Sequence, residues 1–338
     1  MDEKIIIGLI GTGAVAQIAH IPFWKKIPEV ELLAVCDKNK TKAQLIAEKF
    51  KIPYYFSDVE ELFKLEPVQV IDICVPTRSH MELTVEALSA GKHVIVEKPM
   101  ARNFQEAERM VQAAEKNDKK LMVAMNVRFR NDARILKTFA QSGELGDLFY
   151  FKSGWLRARE KLVTHGWFMN KEIAGGGVFM DLGIQLLDLG LWLMGNVTAD
   201  SVKATTFNKI SHYEVEDTAF AFIRLNNGAI LNIEVSWTLP SLEDFFNTSI
   251  FGTHGTAILN PLRIHKELHG NLVNVTPAQE ESPKDLYKKS YQNELLHFVR
   301  ALQNKETLIS TGKEHLERMR IIDAIYQSAK TGREVILG

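Results

Sequence analysis

Ile5-Ile6-Ile7-Gly8-Leu9-Ile10-Gly11-Thr12-Gly13-Ala14-Val15-Ala16 is the stretch from which the rest of the chain is read. A near-continuous apolar run reads as a strand buried on both faces, as in a parallel sheet covered by helices. It breaks at Gly11, and apolar spacing resumes at Val15, Ile18 and Ala19, which predicts a helix. Gly11, Gly13 and Ala16 have the spacing of a dinucleotide fingerprint. The first glycine makes the tight turn, the second lets a pyrophosphate approach, and the small third residue lets helix pack on strand. Thr12, Ala14 and Val15 then form the loop and the helix start, whose free N–H groups favour phosphate. Leu32 to Cys36 predicts a second strand ending at Asp37, 26 positions after Gly11. That is close to the ~20 expected for a carboxylate on the adenosine ribose. Asp37 therefore predicts NAD, with Lys38, Lys40 and Lys42 close enough to admit NADP as well.

The 338 residues suit two domains, and 46% apolar with 25% charged residues is the composition of a globular protein. A formal charge of −1 gives no basic footprint for nucleic acid or anionic membrane. Cys36 and Cys74 each lie near the end of an apolar run, which predicts buried thiols in a reducing compartment. The chain enters its first strand directly after Met1-Asp2-Glu3-Lys4, which predicts no secretory signal. The apolar stretch 178–194 carries Asp181 and Asp188 and does not read as a membrane span. A cytoplasmic protein is expected, with no metal.

To residue 125 strands alternate with helices, giving a doubly wound parallel sheet of Rossmann type. Val70 to Val75 is a strand stopped by Pro76, Ser79 to Glu82 has the form of a capping box, and His93 to Val96 is a further strand. In such sheets ligands bind beyond the strand carboxyl ends. Gly11, Asp37, Pro76, Thr77, Glu97 and Lys98 all fall at that edge. From 126 to 338 the pattern becomes α+β. Leu231, Ile233, Val235 and Trp237 alternate with polar residues, and Asn226-Asn227-Gly228 is a hairpin signal. A large open antiparallel sheet is expected there, with Phe220, Phe222, Leu231, Ile233, Val235 and Trp237 forming an apolar face that makes a homodimer or homotetramer. Two helices, about 287–303 and 313–330, close the chain.

Gly175-Gly176-Gly177 leads into a helix on which Asp181, Gln185 and Asp188 fall at i, i+4 and i+7, on one face. For Asp188 a structural network holding the helix is a reading of equal weight. The segment Trp155 to Trp167 is rich in donors and aromatics, including Arg157, His165 and Trp167, and suits a sugar-like ligand as well as it suits a solvated loop.

These motifs together resemble the glucose–fructose oxidoreductase, inositol dehydrogenase and rhizopine-catabolism family (Gfo/Idh/MocA). The resemblance runs over essentially the whole chain. It rests on Gly11 to Ala16, Val75 to His80, Ala90 to Pro99, Gly175 to Asp188 and Ala324 to Ala329. It implies an NAD(P)-dependent dehydrogenase or reductase of a cyclic polyol, sugar or sugar derivative. Val75, Pro76, Thr77, His80, Glu97 and Lys98 would lie on the nicotinamide side. Lys98 and Asp181 would face the reacting carbon, with Arg128 and the 156–168 loop nearby.

One position departs from the family pattern: Gln185 stands where the usual signature has histidine. An amide can form hydrogen bonds but cannot carry a proton near neutrality. Lys98 is the expected substitute, because a lysine desolvated beside a cationic nicotinamide has its pKa pulled down. His80 and His165 are further candidate relays. Two other readings share these residues: transient oxidation with cofactor recycling and net glycoside cleavage, and a dinucleotide-binding sensor without turnover.

Overall fold

The structure, a computed structural model, describes residues 4–159, 166–209, 213–278 and 281–338. The chain forms two compact units. The first comprises Met1–Asn126 and Lys288–Leu316, the second Val127–Tyr287 and Glu317–Gly338.

In the first unit the apolar runs become six strands: β1 (Ile5–Ile10), β2 (Val30–Cys36), β3 (Tyr54–Phe56), β4 (Val70–Ile73), β5 (His93–Glu97) and β6 (Leu121–Ala124). They pair in the order β3-β2-β1-β4-β5-β6, all parallel. β1 lies at the centre, and Ile7 and Leu9 are fully buried there, as a strand covered on both faces requires. Asn39 and Asn103 cap the helices Lys40–Phe50 and Phe104–Lys116, accepting from Lys42 N–H at 3.0 Å and Glu106 N–H at 2.9 Å. The helix His80–Ser89 forms where the capping box predicts it, but Ser79 makes no side-chain cap.

A single boundary near 126 understates the path of the chain, because Lys288–Leu316 returns to the first unit. There Thr311 bridges to Met122, the Ser310 hydroxyl donates to Val123 O at 2.7 Å, and Asn126 Nδ2 donates to Ser290 Oγ at 3.0 Å.

His93, at the start of β5, accepts from Lys120 N–H at 3.0 Å through Nδ1. Burial, helped by the Lys119 and Lys120 charges, pushes its pKa down from 6.5 to about 4. Between those values the unfolded chain binds the proton and the folded chain does not, so stability falls as pH falls from 6.5 towards 4. Thermal melting from neutral to mildly acidic pH should show this loss, and His93→Gln, which keeps an acceptor, should reduce it.

In the second unit nine strands form one sheet: β7 (Leu148–Ala158), β8 (Ala199–Phe207), β9 (Thr218–Leu225), β10 (Ile230–Leu239), β11 (Phe245–Gly252), β12 (Gly255–Leu259), β13 (Arg263–Leu268), β14 (Asn271–Asn274) and β15 (Val335–Ile336). Every pairing is antiparallel except that of β7 with β10. Period-two alternation is clear in β9, where Ala219, Ala221, Ile223 and Leu225 are buried between exposed neighbours. The expected apolar face is two faces. Leu231, Ile233, Val235 and Trp237 are buried, whereas Phe220 and Phe222 pair with Glu234 and Asn232 on the opposite, open side. The helix Ile184–Leu193 is buried at every residue, which accounts for an apolar stretch long enough to resemble a membrane span.

Candidate active site

In the first unit the Gly11–Ala16 loop leaves β1 as the fingerprint requires. Gly11 has φ +92°, and a Cβ there would lie 2.3 Å from Cys74 O, so only glycine makes this turn. A Cβ on Gly13 would meet nothing within 4 Å, leaving its backbone open to a ligand. Asp37 stands at the end of β2 and ties the loop down. Its Oδ2 accepts from Thr12 N–H (3.0 Å), the Thr12 hydroxyl (2.7 Å) and Lys42 Nζ (3.2 Å), and its Oδ1 from Asn39 N–H (3.0 Å). Burial opposes its ionisation, but these hydrogen bonds outweigh it and hold the pKa below the usual carboxylate value. Oδ1 keeps a lone pair for a ribose hydroxyl. Lys38 is exposed beyond it.

Val75 and Pro76 are half-buried at the adjoining strand end, and the buried Thr77 hydroxyl has no hydrogen-bond partner among the described residues. An open glycine, an ionised carboxylate and an orphaned hydroxyl along one sheet edge fit a dinucleotide.

His80 faces the backbone on both sides. Its ring is fully buried, with Nδ1 2.8 Å from Pro99 O and Nε2 2.9 Å from Val75 O, so it ties the 75–77 loop to the turn after β5. Burial pushes its pKa down. Glu97 likewise turns inward: Oε1 lies 2.9 Å from His20 Nε2, and Oε2 accepts the Lys98 N–H at 3.0 Å. Lys98 itself is half-buried, followed by a cis bond to Pro99. Both cysteines are buried free thiols, and burial pushes Cys36 up to about 12 and Cys74 also upward. His20, Asp72 and Cys74 bring potential metal-ligand atoms within 4.8 Å of one another. Both ring nitrogens of His20 are already hydrogen-bonded to carboxylates there, and Cys74 stays protonated.

In the second unit the segment after the glycines is a π-helical turn, Phe179–Gly183, running into Ile184–Leu193. Such widened turns recur at functional sites. Glu216, which sequence reasoning missed, caps its start: the carboxylate accepts from Gly177 N–H, Phe179 N–H and the Tyr326 hydroxyl at 2.9–3.1 Å. A Cβ on Gly177 would sit 2.1 Å from Glu216 O, so the close approach needs glycine.

Asp181 is half-buried, and its Oδ2 accepts from the Trp237 indole at 3.0 Å. Gln185 donates to Asp181 O at 3.2 Å. Phe168 meets Trp237 edge-on at 5.8 Å, and Trp167, 40% exposed, meets Phe168 at 6.2 Å. The structure thus brings Asp181 and Gln185 together and adds Trp237 and Phe168, with Trp167 next to Phe168 in the chain. Trp237 was legible only as an alternating strand residue. Arg157 is half-buried on β7, and His165 lies outside the described residues.

Arg128 is bound to an acidic side chain of the core. It is fully buried, its Nε donates to Asp188 Oδ2 at 2.6 Å, and its Nη2 donates to Asp188 Oδ1. Arg318 Nε donates to the same Oδ1 at 3.0 Å. Asp188 therefore holds two guanidinium groups in the core, the structural role weighed for it above.

A 3-2-1-4-5-6 parallel sheet with this loop and acidic strand end defines a dinucleotide-binding oxidoreductase fold. The chain belongs to the Gfo/Idh/MocA oxidoreductase family. The model of its NAD-binding Rossmann fold matches residues 5–125, and that of its C-terminal alpha/beta domain matches residues 137–337. Among curated relatives, a D-glucoside 3-dehydrogenase of Escherichia coli (strain K12) is 32% identical, covering 99% of this chain and 98% of the relative. The scyllo-inositol 2-dehydrogenase (NAD(+)) of Bacillus subtilis (strain 168) is 23% identical over 100% of this chain and 97% of its own length. Among solved structures, a levoglucosan dehydrogenase in complex with NADH and levoglucosan shares the fold with TM-score 0.89 and 23% identity, over 99% of each chain.

Proposed function

We propose that the protein is an NAD-dependent dehydrogenase oxidising a secondary hydroxyl of a pyranose, glucoside or cyclic polyol. The observation that carries this is the grouping of Asp181 and Gln185 with Trp237 and Phe168: hydrogen-bonding groups beside flat aromatic faces, as a sugar needs. NAD, when bound, supplies the hydride acceptor. The Gly11–Ala16 loop holds its pyrophosphate and Asp37 its ribose. Lys98 binds the substrate hydroxyl and takes its proton, Asp181 orients the substrate oxygen, and Gln185 only hydrogen-bonds. The similarity to enzymes named for D-glucosides and scyllo-inositol supports this substrate class.

The test is a panel containing a methyl D-glucoside, levoglucosan, D-apiose and scyllo-inositol, with NAD or NADP and NADH formation followed by absorbance. Net reduction supports the proposal. Glycoside cleavage without net reduction, or tight NADH binding with no turnover on any member, overturns it.

Asp37 should favour NADH over NADPH, since its carboxylate repels a 2′-phosphate, with Lys42 softening the effect. Calorimetry on Asp37→Ser should show the NADH/NADPH affinity ratio falling about tenfold or more, the worth of a charge-assisted hydrogen bond.

The protein should also self-associate through the open sheet side bearing Phe207, Phe220 and Phe222, all exposed. Light scattering at micromolar concentration should give at least a dimer. The expected compartment is the cytoplasm.

A further inference from the structure

Directly beneath Lys98 in the first unit lies a buried charge chain that the proposed reaction does not itself use. His20 ends the π-helical turn Ala16–His20 and is fully buried. Its Nδ1 is 2.8 Å from Asp72 Oδ2 on β4, and its Nε2 is 2.9 Å from Glu97 Oε1 on β5. The ring therefore sits between two carboxyl groups, each within hydrogen-bond distance of one of its nitrogens. Asp72 also accepts from the Trp24 indole at 2.7 Å and the Cys74 thiol at 3.4 Å. From the helix Pro283–Leu302, Tyr291 meets the His20 ring edge-on at 6.1 Å. Glu294, on the same helix, is fully buried with neither carboxyl oxygen hydrogen-bonded to a side chain among the described residues. The chain ends at Glu97 Oε2, which accepts the Lys98 N–H at 3.0 Å.

We propose that His20 is a positioning residue for Lys98 acting through Glu97: its ring locks the Glu97 carboxylate, which pins the Lys98 main chain at the strand end. The proposal rests on the reading of Lys98 as the proton carrier. The electrostatics agree with the geometry. Burial opposes charge on His20, but the Asp72 carboxylate outweighs it and raises the ring's pKa well above 6.5. Burial, with the Glu97 charge, raises that of Glu294. The contribution of His20 to stability is fully present below pH 6.5 and is lost as pH rises from there through the folded value.

The experiment is a double-mutant cycle on the panel's best glucoside. His20→Gln should lower kcat about tenfold or more, with the NADH dissociation constant unchanged within about threefold. In a Lys98→Met background the same substitution should change the residual kcat by less than about twofold, because its effect runs through Lys98. Equal losses in both backgrounds, or NADH affinity falling in step with kcat, would overturn the proposal.

If His20→Gln does not fold, the isosteric Glu97→Gln takes its place in the cycle with the same expectations. Ring nitrogen NMR on the wild type adds a readout that needs no substrate. Both His20 nitrogens should stay protonated across the range in which a free histidine titrates, and in Asp72→Asn, which removes the carboxylate that raises the ring's pKa, the ring should lose a proton within that range. A neutral wild-type ring at pH 7 overturns the charge chain. Near-full turnover in Lys98→Met alone is the separate failure of the Lys98 assignment, and it removes the proposal as well.

Discussion

Lys98→Met is expected to lose about 10²-fold or more in turnover while binding NADH within about threefold of the wild type. The size follows from chemistry: oxidation of a hydroxyl releases a proton from oxygen, and a positioned acid–base group contributes about 10²–10⁴-fold. Lys98 is the proposed carrier because the other candidates are otherwise engaged. Gln185 cannot titrate, His80 is sealed between two carbonyls, and Glu97 is committed to His20 and to Lys98's own backbone. Lys98 alone of these is half-exposed at the edge where the nucleotide loop opens. Methionine keeps the length and apolar stem of the side chain, so cofactor affinity and melting behaviour separate a lost proton carrier from a lost fold. Steady-state kinetics with calorimetric NADH titration checks this.

Asp188→Ala is expected to destabilise the second unit by about 3–5 kcal/mol, the cost of breaking a buried ion pair by removing one partner. Arg128 is fully buried, Arg318 is 1% exposed, and both bond this carboxylate. Desolvated guanidinium groups cannot release their protons, so loss of the anion leaves buried positive charge. Urea unfolding should show a lower midpoint with little change in slope, and Asp188→Asn, which keeps one acceptor, should lose less. An Asp188→Ala midpoint equal to the wild type would show that other groups balance the two arginines.

The nucleotide loop was legible because its signals are local. A glycine at positive φ, an open glycine two residues on and an acid at the next strand end are all fixed by sequence spacing. The second unit was less legible. The i, i+4, i+7 stripe brought out Asp181, Gln185 and Asp188, yet spacing on one helix does not reveal the partners. Asp188 faces arginines 60 and 130 residues away, and Asp181 faces an indole 56 residues on. Arg128 looked available for the same reason. His20 gave no signal, because a single histidine in an amphipathic helix does not announce the π turn that ends at it or the two carboxylates it meets. The return of 288–316 to the first unit was equally silent, since an apolar helix face does not state which sheet it covers. β13 carries little sequence signal because Arg-Ile-His-Lys-Glu-Leu lacks alternation, and β15 because it is two residues long.

Hydride transfer itself is tested most directly with a methyl D-glucoside deuterated at every ring carbon and unlabelled NAD in ordinary water. The account predicts one deuterium in the reduced cofactor by mass spectrometry, with NADH and oxidised sugar formed in equal amounts. NADH free of deuterium, or altered sugar without any NADH, would contradict it.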